Sequence, residues 1–351
     1  MAAPELLTKL LAAPGPSGYE GAPAGIWREA ARGFAQVSSD TLGSSVARVA
    51  GTAGGPLLAV VGHIDEIGLI VTHVDDEGFV RFTGVGGWDA QILVGQRVAL
   101  ATRDGTIPGV IGKKPIHLLQ DEERKKVAEI KDLHIDVGAK DGDQARGMVR
   151  VGDVAVIAGE PVELPNGRLA SRSLDNRLGA YVALTAARLV SEAGGAPGDV
   201  AAVAAVQEEI TFAGSHTSAY ALEPGVAIVV DVTHATDAPG IDPKETGKHE
   251  LGSGPVIGRG STLNPRVFEL LHEAAEAEEM PFTIEASARG TGTDADAVHL
   301  SRRGVPTGLV SIPLRYMHSP VELVALEDVE ACARLVAAFA RRLEPDTTFE
   351  R

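Results

Sequence analysis

Two adjacent carboxylates, Glu208 and Glu209, close the apolar run Ala201 to Val206 in the stretch AAVAAVQEEITFAG, Ala201 to Gly214. The run reads as a buried strand, and glutamate is rarely buried without a partner. Neighbouring side chains on extended backbone point opposite ways. The pair is therefore expected to divide its work, one as a metal ligand and the other as a base. Taken alone, such a pair is more often a charged strand end in water.

Other chemistry-bearing residues fall in equivalent places. The strand Leu57 to Val61 opens into Gly62-His63-Ile64-Asp65-Glu66-Ile67-Gly68, placing His63 at a strand end with Asp65 two residues on. His-x-Asp suits an imidazole ligand whose tautomer a carboxylate fixes, against the plainer reading of a satisfied core histidine. Asp175 precedes a long helix, Leu178 to Ala193, where an N-cap sits, and capping is the competing structural reading. Val226 to Val230 ends in Asp231, and Leu309 to Ile312 leads through Pro313-Leu314-Arg315-Tyr316 to His318. In an alternating α/β chain these strand ends share one edge, where ligands bind. Two imidazoles and three carboxylates exceed the needs of one catalytic zinc, which keeps three protein ligands. They suit two metals about 3.5 to 4 Å apart. One carboxylate bridges, each metal takes a further carboxylate and an imidazole, and one glutamate stays free as a base.

The elements that position these residues alternate along the chain. Helices are expected over Glu5 to Ala13 and about Ala22 to Gly33, followed by strands Ser44 to Val49 and Leu57 to Val61. From about Thr72 to Glu163 short strands and Gly-rich turns (DDEG, GVGG, RDGT, GKKP, VGDV) replace this pattern, predicting a small β-rich insertion. Within it, Asp121 to Leu133 reads as a charged, solvated helix, and His73, His117 and His134 have no ligand-like spacing. Alternation resumes at Arg168. Helices follow over Pro265 to Glu279, around His299, and over Leu326 to Leu343, the last holding Cys332 as a packed core residue.

At 351 residues the chain is long for one core, and a hydrophobic content of 44% is ample for burial. Its 32 basic against 48 acidic side chains, net −16, argue against nucleic-acid or anionic-membrane partners. A lone cysteine, the lack of a basic-flanked secretory segment and the lack of an apolar run near about 20 residues make the cytoplasm the expected compartment. GxSxG, GxxxxGK[ST] and HExxH are absent, and the GxGxxG begun by Gly252 and Gly254 fails at Ile257.

GHIDEIGLIV, SLDNRLGAY, VQEEI, VVDVTHA, GTDADAVHLSRRGVPT and IPLRYMHSPVE, with PGPSGYEG near the start, together resemble the M42 family of metallo-aminopeptidases, relatives of the tetrahedral dodecameric peptidases. The resemblance covers almost the whole chain in the family's order. It implies a mixed-sheet α/β catalytic domain, residues 1–71 plus 164–351, with an inserted PDZ-like dimerisation domain at 72–163. It also implies that His63 and Asp231 bind one metal, that Glu209 and His318 bind the other, that Asp175 bridges them, that Glu208 is the base and that Asp65 stands behind His63. Two divalent ions per subunit are expected, zinc first, with cobalt or manganese as alternatives. Short peptides are the implied substrates, and a homo-oligomer, dimers built into a dodecamer, the implied assembly.

Two departures bear on the pocket. Ile210-Thr211-Phe212-Ala213-Gly214-Ser215-His216 replaces a VGxxG segment common in relatives, and Asp296 stands where relatives are often small or neutral. An acidic Asp296 at the site's edge favours basic N-terminal residues; a solvent-facing carboxylate is the simpler reading. His216, His234 and His299 are lesser candidates for touching substrate. A di-metal amidase or deacylase of the M20 or M28 type is the alternative enzyme, and a non-catalytic binding protein on the same fold the alternative class.

Overall fold

Runs rich in Val, Ala and Ile bounded by Gly and Pro form the strands of a computed structural model that describes residues 2–350. In chain order they are β1 Gln36–Ser39, β2 Ser45–Val49, β3 Gly55–His63, β4 Gly68–Val74, β5 Phe79–Val85 and β6 Arg97–Thr102. Next come β7 Gly105–Gly112, β8 His134–Asp136, β9 Val154–Ile157, β10 Val162–Leu164, β11 Arg168–Ser171 and β12 Gly198–Ala205. The last are β13 Val226–His234, β14 Val256–Gly260, β15 Thr283–Ser287, β16 Thr307–Arg315 and β17 Glu322–Ala325.

One mixed sheet has the order β1-β2-β12-β3-β13-β16-β17-β11-β10, with β14 and β15 added beside β16. Its centre, β12-β3-β13-β16, is parallel. These strands are almost wholly buried, as expected of strands covered on both faces. Helices Leu174–Glu192 and Leu326–Arg341 pack with the N-terminal helices on one face, while a smaller cluster around Val203, Val229 and Leu309 fills the other. Strands β4-β5-β8-β7-β6-β9 close into a separate six-stranded barrel with its own core, including Val80, Leu100 and Ile135.

Helix Leu174–Glu192 approaches the sheet backbone to backbone just below the strand ends. A Cβ on Gly62 would lie 2.2 Å from the Gly179 carbonyl carbon, so only glycine permits this approach. The parallel register then levels the site. Ala205 stands opposite His63, and Val229 opposite Val61, which carries Asp231 to the height of His63.

The charged helix expected over Asp121 to Leu133 does not form. Helix is confined to Asp121–Arg124, closed by a Gln120/Glu123 capping box, with a 3-10 turn at Ile130–Asp132. Val127 is exposed, and the apolar side chains that do pack on the barrel core, Ile130 and Leu133, lie in and just after the 3-10 turn, so residues 121–129 lack the buried apolar face from which short helices draw most of their stability.

Candidate active site

His63 ends β3, Asp231 lies near the end of β13, and His318 follows β16, so three parallel strands deliver three of the expected residues to one edge. Glu208 and Glu209 are not on extended backbone. They begin a helical turn, Glu208–Thr211, after β12, entered through Gln207 at φ 60°. A turn rotates successive side chains by about 100°, and this still sends the pair to different neighbours.

Asp175 does not cap its helix. It and Asn176 have non-helical dihedrals, their peptide is cis, and Asn176 Oδ1 accepts from Gly179 N at 2.8 Å. Asn176 is therefore the cap, and the Asp175 carboxylate is free for the cluster. The N-cap demands an acceptor that an amide supplies as well as a carboxylate.

The cluster is close. His63 Nε2 lies 3.2 Å from Asp175 Oδ1, 3.6 Å from Glu208 Oε2 and 4.0 Å from Asp231 Oδ1. His318 Nε2 lies 3.4 Å from the other oxygen, Asp175 Oδ2, and 3.3 Å from Glu209 Oε2. Asp175 thus faces both imidazoles, one oxygen to each. Two sets of donor atoms, His63 with Asp175 and Glu209, and His63 with Glu208 and Asp231, are near enough for each to hold a metal ion.

Each imidazole turns Nε2 inward and Nδ1 toward an acceptor. His63 Nδ1 is 3.3 Å from Asp65 Oδ1, and His318 Nδ1 is 3.1 Å from the Gly87 carbonyl. Acceptors at Nδ1 favour the tautomer whose Nε2 lone pair points into the cluster, the form a metal ligand needs. Asp65 does more than stand behind His63. It accepts from Glu208 N at 3.1 Å, Glu209 N at 3.2 Å and Ser17 Oγ at 2.6 Å, fixing the turn that carries both glutamates.

Burial and like charge dominate the electrostatics. Glu208 is pushed up to about 10, first by burial and then by Asp231, Asp294 and Glu209, with His63 opposing. Burial raises Asp231 well above the carboxylate range, and burial with Asp175 raises Glu209. Burial also opposes a low pKa at Asp175, yet His318 and His63 hold it below the ordinary value. Hydrogen bonds donated by His318 to the Asp175 and Glu209 carboxylates lift the imidazole to about 11. A buried site this rich in carboxylate has a natural complement in divalent cations, and Glu209 Oε1, buried without a hydrogen-bond partner, is a donor atom awaiting one.

Three contributors carried no role in the sequence reading. Glu322, the first residue of β17, is buried and accepts from Asp175 N at 3.0 Å and from His318 N at 2.9 Å, tying two cluster residues through their backbones. Gly87 reaches the site from the loop after β5, at the barrel, and a Cβ there would stand 3.3 Å from His318 Nδ1. Glu285, on β15, lines the cavity of about 410 Å³ that opens from the cluster. The SPVE and GVGG strings contained the first two, but nothing in their spacing marks a backbone contact.

Of the lesser candidates, His234 lines this cavity, whereas His216 and His299 do not. Phe212 supplies the bulk expected from the Ile210 to His216 departure, while the Ile210 side chain is exposed away from it. The Asp296 carboxylate accepts from Thr291 N at 2.8 Å, Thr291 Oγ1 at 3.0 Å and Gly292 N at 2.9 Å. It stitches its own loop rather than facing the cavity, because unsatisfied loop amides are its nearest donors.

Known proteins resemble this chain over almost its whole length. The family model described as M42 glutamyl aminopeptidase matches residues 43–335. A lysyl aminopeptidase of Pyrococcus furiosus is 35% identical over 350 residues, covering 97% of each chain. Among solved structures, a TET aminopeptidase from a marine sediment Thaumarchaeota archaeon is 36% identical with a TM-score of 0.92, over 97% of this chain and 96% of that one. A TET1 peptidase of Pyrococcus horikoshii, able to assemble into a tetrahedron or a large octahedral shell, is 31% identical with a TM-score of 0.85, over 97% and 99%.

Proposed function

The chain belongs to the M42 family of metal-dependent aminopeptidases, and from that premise we propose that it removes N-terminal residues from short peptides at the His63–His318 cluster, with two divalent cations per subunit and Glu208 as general base. The observation that carries this reading is the division of Asp175, one oxygen toward each inward-turned imidazole. His63 and Asp231 would hold one cation, Glu209 and His318 the other, with Asp175 available to both. Imidazole with carboxylate suits zinc first, then cobalt or manganese.

When bound, such cations polarise a scissile carbonyl and acidify water. Glu208 is placed to take the proton of the attacking water and pass it to the leaving amine. Burial and the carboxylates around it keep Glu208 more basic than an ordinary glutamate, and cations bound at the cluster would offset those carboxylates and favour the ionised form that accepts the proton. The acidic cluster is complementary to a free α-ammonium group, which an N-acylated substrate lacks. Asp65 and Glu322 hold the reacting groups in place through the backbone amides they accept from.

We assign the insertion at residues 72–163 to dimerisation and the whole to a homo-oligomer of dodecamer type. Its support is the assembly of the TET1 relative together with the exposed apolar side chains Ile116, Leu118 and Val127 in the insertion. The buried thiol of Cys332 supports the cytoplasm as working compartment. No helix among the described residues is long and apolar enough to cross a membrane.

The test is a panel of aminoacyl amides, their N-acetylated forms and short peptides, run on chelated enzyme and again with each cation restored. Cleavage confined to free N-termini and dependent on added cation is expected. Equal cleavage of blocked and free substrates would replace the aminopeptidase with a deacylase.

A further inference from the structure

The cavity beside the cluster is asymmetric in charge. Among the described residues no lysine or arginine lines it, and its one carboxylate outside the cluster, excluding Asp175, Glu208, Glu209 and Asp231, is Glu285. On β15 alternate side chains share a face. Glu285 and Ser287 line the cavity while Ile284 is turned out to 43% exposure.

Glu285 is fixed rather than free. Its Oε1 accepts from Thr233 Oγ1 at 3.0 Å, and Thr233 is two residues beyond Asp231 on β13. At about 3.3 Å per residue those two Cα atoms stand roughly 6.6 Å apart. With the Glu285 carboxylate held beside Thr233, that spacing suits the far end of a long side chain on a substrate held by its backbone at the cluster. Phe212, Leu309 and Met317 line the same cavity and offer apolar surface to a methylene stem.

We propose that Glu285 selects a basic side chain on the substrate's N-terminal residue, making lysyl and arginyl peptides the preferred substrates. The inference rests on the aminopeptidase reading above. The ammonium or guanidinium group meets a carboxylate already oriented by Thr233, in a half-buried setting where a charge-assisted hydrogen bond is strong. An acidic N-terminal side chain meets like charge and is disfavoured. The formal charge of −16 adds a general attraction for cationic peptides but does not place the charge on the first residue. Glu285 does that.

The experiment measures kcat/KM of the metal-loaded enzyme for fluorogenic amides of Lys, Arg, Leu and Glu, in wild type, Glu285→Gln and Glu285→Lys. Wild type is expected to favour Lys and Arg over Leu by at least about tenfold. Glu285→Gln, which keeps an acceptor for Thr233, is expected to shrink the Lys-to-Leu ratio about ten- to hundredfold. Glu285→Lys is expected to move preference from Lys toward Glu. A wild type that prefers Leu or Glu, or a Lys-to-Leu ratio unmoved by Glu285→Gln, overturns the assignment while leaving the aminopeptidase intact. Failure of wild type to cleave any free-amine substrate with cations supplied defeats the parent reading instead.

Discussion

Glu208 and Glu209 are neighbours in sequence with different surroundings, and their separation is the first residue-scale consequence of the fold. Glu208 faces His63 and Asp231, whereas Glu209 faces His318 and Asp175. Glu208→Gln keeps the shape and removes the base, so turnover is expected to fall about 10²- to 10⁴-fold with cation content per subunit unchanged. Elemental analysis beside the rate assay checks this; a variant that loses its cations as well would make Glu208 a ligand. Glu322 acts through others. Glu322→Gln turns one acceptor into a donor facing a backbone N–H, loosening Asp175 or His318. Cation affinity, read by competition with a chelating dye, is expected to drop about tenfold, and unchanged affinity would leave Glu322 a purely structural residue.

At the scale of elements, the site depends on how closely helix Leu174–Glu192 lies on β3. Both Asp175 and His63 are set by that approach, which Gly62 and Gly179 permit. Gly62→Ala inserts a Cβ 2.2 Å from backbone with no flexible side chain to yield, so a loss of about 1–3 kcal/mol in unfolding free energy is expected from urea titration. Wild-type stability in that variant would mean the helix can slide without cost. The same helix is anchored from its other side. Arg177, fully buried, donates to the carbonyls of Leu10, Ala13 and Ile64 and pairs with Glu66 at 2.8 Å, and Glu66 also pairs with Arg172. This buried network joins the end of the first helix to the His63 strand.

For the molecule as a whole, the cluster concentrates buried carboxyl groups whose ionisation bound cations would favour. Any ligand that binds the folded chain in preference to the unfolded one adds stability. Chelation is therefore expected to abolish turnover and lower the melting temperature by about 5 °C or more, with both restored by added cation. A melting curve indifferent to chelator would show that the cluster carries its charge without metal. The barrel is part of this economy too, since the Gly87 carbonyl after β5 orients His318. A segment set apart in composition from the catalytic sheet thus completes the site.

What the sequence determined by itself is the alternation of apolar runs and the residue types at their ends. Periodicity and strand-end chemistry are local, so His63, Asp175, Glu208, Glu209, Asp231 and His318 were legible as a converging set, and six motifs in order carried the family. Tertiary structure decided which atom faces which. It gave the helix cap to Asn176 instead of Asp175, put the glutamate pair on a turn, left 121–133 mostly non-helical, turned Asp296 into its own loop and Glu285 into the cavity. Each of these choices was settled by donors, acceptors or apolar surface supplied from elsewhere in the chain. A linear pattern holds a residue's type and its near neighbours, whereas hydrogen-bond partnership and burial exist only once distant segments have met.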